Sequence, residues 1–186
     1  MKLAYAICGS FCTHDKALNV LGLLAEKHSI TPIFSEITAV TDTRFGTAIV
    51  LSRKVGEICR EKIISSIMEA EEKITKGKYD ALIVAPCTGN TLAKIANGIT
   101  DSTVTMCVKA QLRNRLPVII GLATNDGLSA NLFNIAMTLE KKNIYFVPFG
   151  QDNAVEKPTS LVCDFDKIES TFESAVQGKQ LHPLLS

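Results

Sequence analysis

The residues best placed to do chemistry lie between Asp80 and Ser102, which read DALIVAPCTGNTLAKIANGITDS. Residues 81–85 are a short apolar run of the kind that forms a buried strand. Pro86, Cys87, Thr88, Gly89, Asn90 and Thr91 form a small polar turn after it. From residue 92, Leu92, Ile95, Ala96 and Ile99 recur at the spacing of one helix face. A strand that feeds a helix through such a turn leaves backbone N–H groups and hydroxyls at the helix N-terminus. The first N–H groups of a helix lack intrahelical acceptors and its dipole is positive there, so this end favours anions. The same residues also read as an ordinary N-cap, which most helices carry.

Positioning such a turn requires a sheet whose strands end side by side. Short apolar runs near residues 3–8, 30–34, 81–85, 118–122 and 144–147 alternate with helical stretches. The helical stretches are residues 15–25, the later part of 41–76, 92–99, 103–114, 130–140 and 168–176. This alternation predicts an α/β domain: a doubly wound three-layer sandwich, flavodoxin- or Rossmann-like, with a mostly parallel sheet of five or six strands. Ligands of such folds bind outside the carboxyl ends of the strands. Asp15 is the expected cap of the first helix. Residues 149–160 read as a polar loop and the stretch from Gln177 as a loose tail. One domain over residues 1–180 is expected, followed by a tail over 181–186.

Composition narrows the function. The net charge of +1 offers no electrostatic case for nucleic acid or a membrane surface. No leader and no long apolar span stand out, and the six Cys form no CxxC pair, so reduced thiols in a cytoplasmic protein are expected. Three scattered His give no zinc pattern. Gly9 and Ser10 follow the first strand, but the turn is neither GxGxxG nor a P-loop, which disfavours a standard dinucleotide site.

The turn and its helix resemble the flavin-binding signature of the flavoprotein family that includes flavin-dependent cysteine decarboxylases and flavin prenyltransferases. That family writes Pro-Ala-Thr/Ser-Ala-Asn-Thr and then Ile-Ala-Lys-Ile-Ala-Asn-Gly-Ile-Ala-Asp. Pro86, Thr88, Asn90, Thr91, Ala93, Lys94, Ile95, Ala96, Asn97, Gly98, Ile99 and Asp101 fit it. The resemblance implies FMN as cofactor, its phosphate held by Gly9, Ser10, Ser35 and the 86–91 turn. It also implies a homo-oligomer, trimeric or larger, with helices from Leu92 and Thr103 supplying much of the interface.

The chain departs from the decarboxylases, which place a catalytic His between the second strand and the signature; no His occurs here between 28 and 182. Their Pro-x-Met-Asn substrate clamp is replaced by Leu122-Ala123-Thr124-Asn125-Asp126-Gly127. Residues 109–118 and Lys157-Pro158-Thr159-Ser160-Leu161 resemble prenyltransferase stretches instead.

From Leu3 to about Gln180 the chain resembles one branch of the family most fully. That resemblance implies one subunit of an oxidoreductase in the mother cell of a spore-forming bacterium. Its substrate would be a small ring dicarboxylate, met by Arg113, Asn125 and Lys157. A separate dehydrogenase-like subunit would carry NAD(P). A flavin prenyltransferase and a non-catalytic activating subunit stand as alternatives, and catalytic residues are left unassigned. Cys87 is expected to pack rather than to act as a nucleophile, because a nucleophilic thiol needs a base beside it.

Overall fold

Strands form where the sequence runs apolar without helical spacing, and the first of them are buried along nearly their whole length. The computed structural model describes residues 1–185; Ser186, the last residue of the expected tail, lies outside them. β1 spans Lys2–Ile7, α1 His14–Lys27 and β2 Ser29–Phe34. α2 spans Glu36–Val40, α3 Ala48–Cys59 and α4 Ile67–Lys76. β3 spans Ala81–Cys87, α5 Gly89–Asn97, α6 Thr103–Arg113 and β4 Val118–Thr124. α7 spans Leu132–Leu139, β5 Ile144–Phe146, β6 Phe149–Asn153, β7 Lys157–Cys163 and α8 Ile168–Ala175.

The sheet has seven strands in the order β2-β1-β3-β4-β7-β6, with β5 also paired to β4. β2, β1, β3, β4 and β5 pair in parallel, while β7 joins β4 and β6 antiparallel. The doubly wound α/β fold is therefore the one its sequence predicts. β3 shows why: every one of its residues is buried, as befits a strand covered on both faces. α1 and α8 contact each other, and α4 packs on α6. Right-handed crossovers put these two pairs on opposite faces of the sheet. The chain moves from β1 outward to β2 and then back across to β3, so the loops after β1 and β3 flank the switch point.

β4 changes neighbours along its length. Val118, Ile119 and Ile120 pair with β5, whereas Ala123 and Thr124 pair with Val162 and Leu161 of β7. The β6–β7 hairpin occupies the stretch read from sequence as a polar loop. Gln151 and Asp152 are exposed, so no apolar alternation marks β6. The expected loose tail is docked as well. Gln180 donates from Nε2 to the Phe146 carbonyl at 2.7 Å and accepts from the Phe146 N–H at 2.9 Å. The Phe149 N–H donates to the Leu184 carbonyl at 2.9 Å.

Two smaller expectations are corrected. Asp15 lies inside the first turn of α1 and does not cap it; Thr13 holds the N-cap position. The helix expected in the later part of 41–76 begins only at Ile67, because Ile64 instead bridges Ile33 in parallel, and a separate helix, α3, precedes it.

Candidate active site

Parallel pairing brings the exits of β2, β1, β3 and β4 to one edge of the sheet. Ser35 follows β2, Ser10 follows β1, Thr88 follows β3 and Thr124 ends β4. Adjacent exits are tied directly: the Ser35 N–H donates to the Ile7 carbonyl at 3.1 Å and the Cys8 N–H to the Pro86 carbonyl at 3.2 Å. The condition for a shared anion site, Ser10 and Thr88 on the same edge, is met.

A cleft of about 760 Å³ opens at this edge. From the predicted set it is lined by Ser10, Thr88, Gly89, Asn90, Asn125 and Lys157. Each has a local reason to be there. Ser10 adopts the left-handed region at φ 62°, which turns the chain out of β1 into a short 3-10 turn. Its hydroxyl donates to the Ala123 carbonyl at 2.6 Å, locking the β1 exit to β4. Among the described residues no acceptor meets the N–H groups of Ser10, Phe11 and Cys12. A left-handed residue followed by a right-handed turn sets successive N–H groups into a concavity that suits an anion. Thr88 caps α5 by accepting the Thr91 N–H at 3.3 Å. Thr88 is thus the cap, and among the described residues the N–H groups of Gly89 and Asn90 before its target meet no acceptor.

Other predicted residues turn away. Pro86 and Cys87 are fully inside the strand, and burial, with smaller help from neighbouring Cys8 and Cys163, pushes the Cys87 thiol well above its ordinary pKa. Thr91 is buried and donates to the Cys8 sulfur at 3.5 Å. Gly9 is buried beneath the turn, where an added Cβ would come within 3.3 Å of the Thr88 methyl. Ser35 accepts the Thr38 N–H as the cap of α2, and the cleft's lining does not include it. Of these, Arg113 lies furthest from the cleft within this chain. It ends α6 five residues before β4 begins, at the edge where strands enter the sheet. The seven residues of β4 then separate it from the cleft by about 20 Å. Within this chain it does not join Asn125 and Lys157.

His14 does not approach Cys87 as a base. Its Nε2 donates to the Cys8 carbonyl at 2.9 Å and lies 3.3 Å from that of Gly9, so it braces the β1 turn from below.

The structure adds residues that the sequence did not single out. Lys16 in the first turn of α1, Cys12, Thr124, Asp126, Asp152 and Ser160 also line the cleft. Asp126 is the best anchored. Its carboxylate accepts from Thr124 Oγ1 at 2.5 Å and from Asn131 Nδ2 at 2.9 Å. Asn131 in turn accepts from Asn134. Lys157 pairs with Asp152 at 2.9 Å, which raises the lysine's pKa through that hydrogen bond. The signal for Lys16 was its position, six residues after Ser10 on the first helix; a solvated lysine there is too common to stand out. The cleft thus holds open backbone donors, two lysines and two carboxylates, an arrangement fit to bind a polyanion in a fixed orientation.

The helices from Leu92 and Thr103, expected to supply much of an oligomer interface, bury one face in the chain's own core. Leu92, Ile95 and Ala96 of α5 and seven residues of α6 are buried within the chain. Exposed large apolar side chains include Ile37, Val40, Phe45 and Ile49, and also Leu128, Leu132 and Phe133.

Comparison with known proteins places the chain in a family and a fold. The Flavoprotein family model matches residues 2–176. The chain is 36% identical over 185 residues to the B subunit of dipicolinate synthase from Bacillus subtilis strain 168, covering 99% of this chain and 92% of that protein. The crystal structure of the B subunit of dipicolinate synthase from Bacillus halodurans superposes with a TM-score of 0.91 at 40% identity, over 100% of this chain and 95% of that one. An FMN complex of DmrB from Burkholderia xenovorans, described as a cubic protein cage for redox transfer, shares the fold at a TM-score of 0.69 and 16% identity over 95% of each chain.

Proposed function

Because the chain belongs to the Flavoprotein family, we propose that it is the B subunit of a dipicolinate synthase. The observation that carries the reading is identity of 36% that runs through 99% of the chain to a protein of that name, rather than through one motif. The reaction takes a dihydrodipicolinate-level precursor to dipicolinate. Two hydrogens leave the ring, one as a hydride equivalent to an acceptor and one as a proton to solvent or a base.

The donor set fits the phosphate of FMN. The open N–H groups of the Ser10 turn and of Gly89 and Asn90 face one edge, and the Asn90 side chain is exposed there. Bound flavin supplies a two-electron acceptor. The flat ring finds less support: among the described residues the apolar side chains lining the cleft are those of Cys12, Ala123 and Val162. A second copy of the chain completes the ring's seat in this reading. Relatives of this fold assemble as a dodecamer and as a cubic cage, and a trimer or larger homo-oligomer is the form proposed here.

The role of this chain's residues follows. Backbone donors fix the phosphate, Asn125 and Lys157 meet substrate carboxylates, and Asp126 holds the 124–131 loop against α5. The A subunit carries NAD(P) and forms a complex with this chain in the mother-cell cytoplasm. No helix of the described residues is long and apolar enough to cross a membrane.

A second reading, a non-catalytic activating subunit, has its own support. No His lines the cleft among the described residues, and the one nearest in sequence is turned under the β1 loop. Turnover of dihydrodipicolinate by the A subunit alone, then with this chain, then with this chain stripped of flavin, separates the two. Activity that needs the flavin supports a redox role. Activation equal with and without flavin supports the second reading. Purified protein that is colourless and takes up no FMN at high micromolar concentration removes the flavin from the proposal. A mass shift on FMN incubated with dimethylallyl phosphate would point to prenyl transfer instead.

A further inference from the structure

Sequence resemblance assigned carboxylate binding to Arg113 and Lys157, yet the fold sends Arg113 to the far edge of the sheet. Its place in the cleft is taken by another cation. Lys16 lines the same cleft as Lys157, from the first turn of α1, while Lys157 comes from β7. The two approach from different elements, so the cleft carries positive charge at two points rather than one.

Lys16 has no obvious structural purpose. It makes no ion pair or hydrogen bond among the described residues. A cation in the first turn opposes the helix dipole, and the adjacent Asp15 is the charge that such an end favours. Its position therefore costs stability unless an anion offsets it. Lys157 is held by Asp152 at 2.9 Å, but that pair is exposed, with 55% and 40% of the two side chains accessible. Exposed pairs are worth little, so an entering carboxylate competes with Asp152 for the ammonium.

We infer that Lys16 and Lys157 form a two-cation frame that grips the two carboxylates of one planar ring ligand across the cleft, and so select a dicarboxylate over a monocarboxylate. The inference rests on the proposed function for the identity of the ring. It divides labour by chemistry: convergent backbone N–H groups suit a phosphate, whose oxygens they can meet together, while two separated ammonium groups suit two separated carboxylates through charge-assisted bonds. Asp152 then acts as a placeholder that keeps Lys157 extended toward the cleft until the ligand arrives.

The test is calorimetric titration of pyridine-2,6-dicarboxylate and of pyridine-2-carboxylate into the FMN-saturated protein in metal-free buffer. Wild type is expected to bind the dicarboxylate at least tenfold tighter. Lys16→Met should erase that preference by weakening the dicarboxylate about tenfold while moving the monocarboxylate less than threefold. Lys16→Arg should restore it to within threefold, and Asp152→Asn should tighten the dicarboxylate by removing its competitor. FMN affinity, titrated separately, should stay within threefold in Lys16→Met. Unchanged dicarboxylate binding in Lys16→Met overturns the frame and leaves the proposed function standing. A parallel loss of FMN assigns Lys16 to the phosphate and also overturns the frame. Failure of wild type to bind the dicarboxylate at millimolar concentration counts against the function itself and takes the frame with it.

Discussion

At the scale of single residues, Gly89 carries a constraint that differs from the one its motif suggests. A glycine in such a turn is expected to let a ligand approach the backbone. In this fold a Cβ at Gly89 would collide with Asn131 Nδ2, lie 2.6 Å from Thr124 Oγ1 and lie 2.9 Å from Asp126 Oδ1. The glycine is needed so that α5 can seat against the Asp126 loop. Gly89→Ala should therefore destabilise the protein by about 1–3 kcal/mol through overpacking. It should also weaken FMN, because the loop and the helix start move together; urea unfolding and flavin titration read the two effects. Cys87→Ala is the contrasting case. The thiol is buried and away from the cleft, so flavin binding and complex activity should stay within a few-fold, with a stability loss of about 1 kcal/mol for the lost packing. A fall in activity by orders of magnitude with flavin intact would mean that the thiol reaches the chemistry. The signature was legible in sequence because it spans a strand, a turn and a helix in fixed order. Which of its side chains face the cleft was not, because a turn has no period from which inward and outward positions can be read.

At the scale of elements, α6 is held by a group from another crossover. Glu36, at the start of α2, accepts at 2.7 Å from both the N–H and the hydroxyl of Thr103, the first residue of α6. One carboxylate thus serves the N-terminus of the helix it begins and that of a helix 67 residues away in sequence. Glu36→Ala should cost about 1–2 kcal/mol, the usual worth of a lost cap. Glu36→Gln, which keeps an acceptor and drops the charge, should recover part of it in thermal unfolding. This tie was invisible beforehand, since nothing local relates Glu36 to Thr103. The five parallel strands were legible because burial on both faces demands continuous apolar runs. β6 and β7 were not, because an edge hairpin with Gln151, Asp152 and Lys157 in water needs no such run. The cleft's second wall, and with it Lys157 opposite α1, depended on an element whose sequence looks like a loop. The edge at which Arg113 sits was hidden for a related reason: similarity to a stretch of helix says nothing about which edge of the sheet its end reaches.

At the scale of the whole molecule, the cysteines set a limit on alkaline stability. Burial raises the thiols of Cys8 to about 11 and of Cys107 to about 12, and lifts Cys87 and Cys163 well above the ordinary range. An unfolded chain releases these protons from about pH 8.5, whereas the folded chain keeps them. Stability is then intact below that pH and falls as pH climbs toward the folded values. The urea midpoint should drop progressively between about pH 8.5 and 11. Replacing Cys163 by Ser should flatten that fall.

The divided edge of β4 has a consequence for how this protein can be altered. Among the described residues the ladder that joins the hairpin to the parallel sheet has two pairs, Ala123 with Val162 and Thr124 with Leu161. Hydroxyl bonds from Ser160 to the Thr124 carbonyl and from Thr159 to the Asn125 carbonyl back it, while the parallel strands are paired elsewhere. One part of the chain behaves as a chassis and the other as an interchangeable tool. Transplanting residues 148–163 from a relative with a different ligand should carry over the wall of the cleft and its preference, while the chassis folds as before.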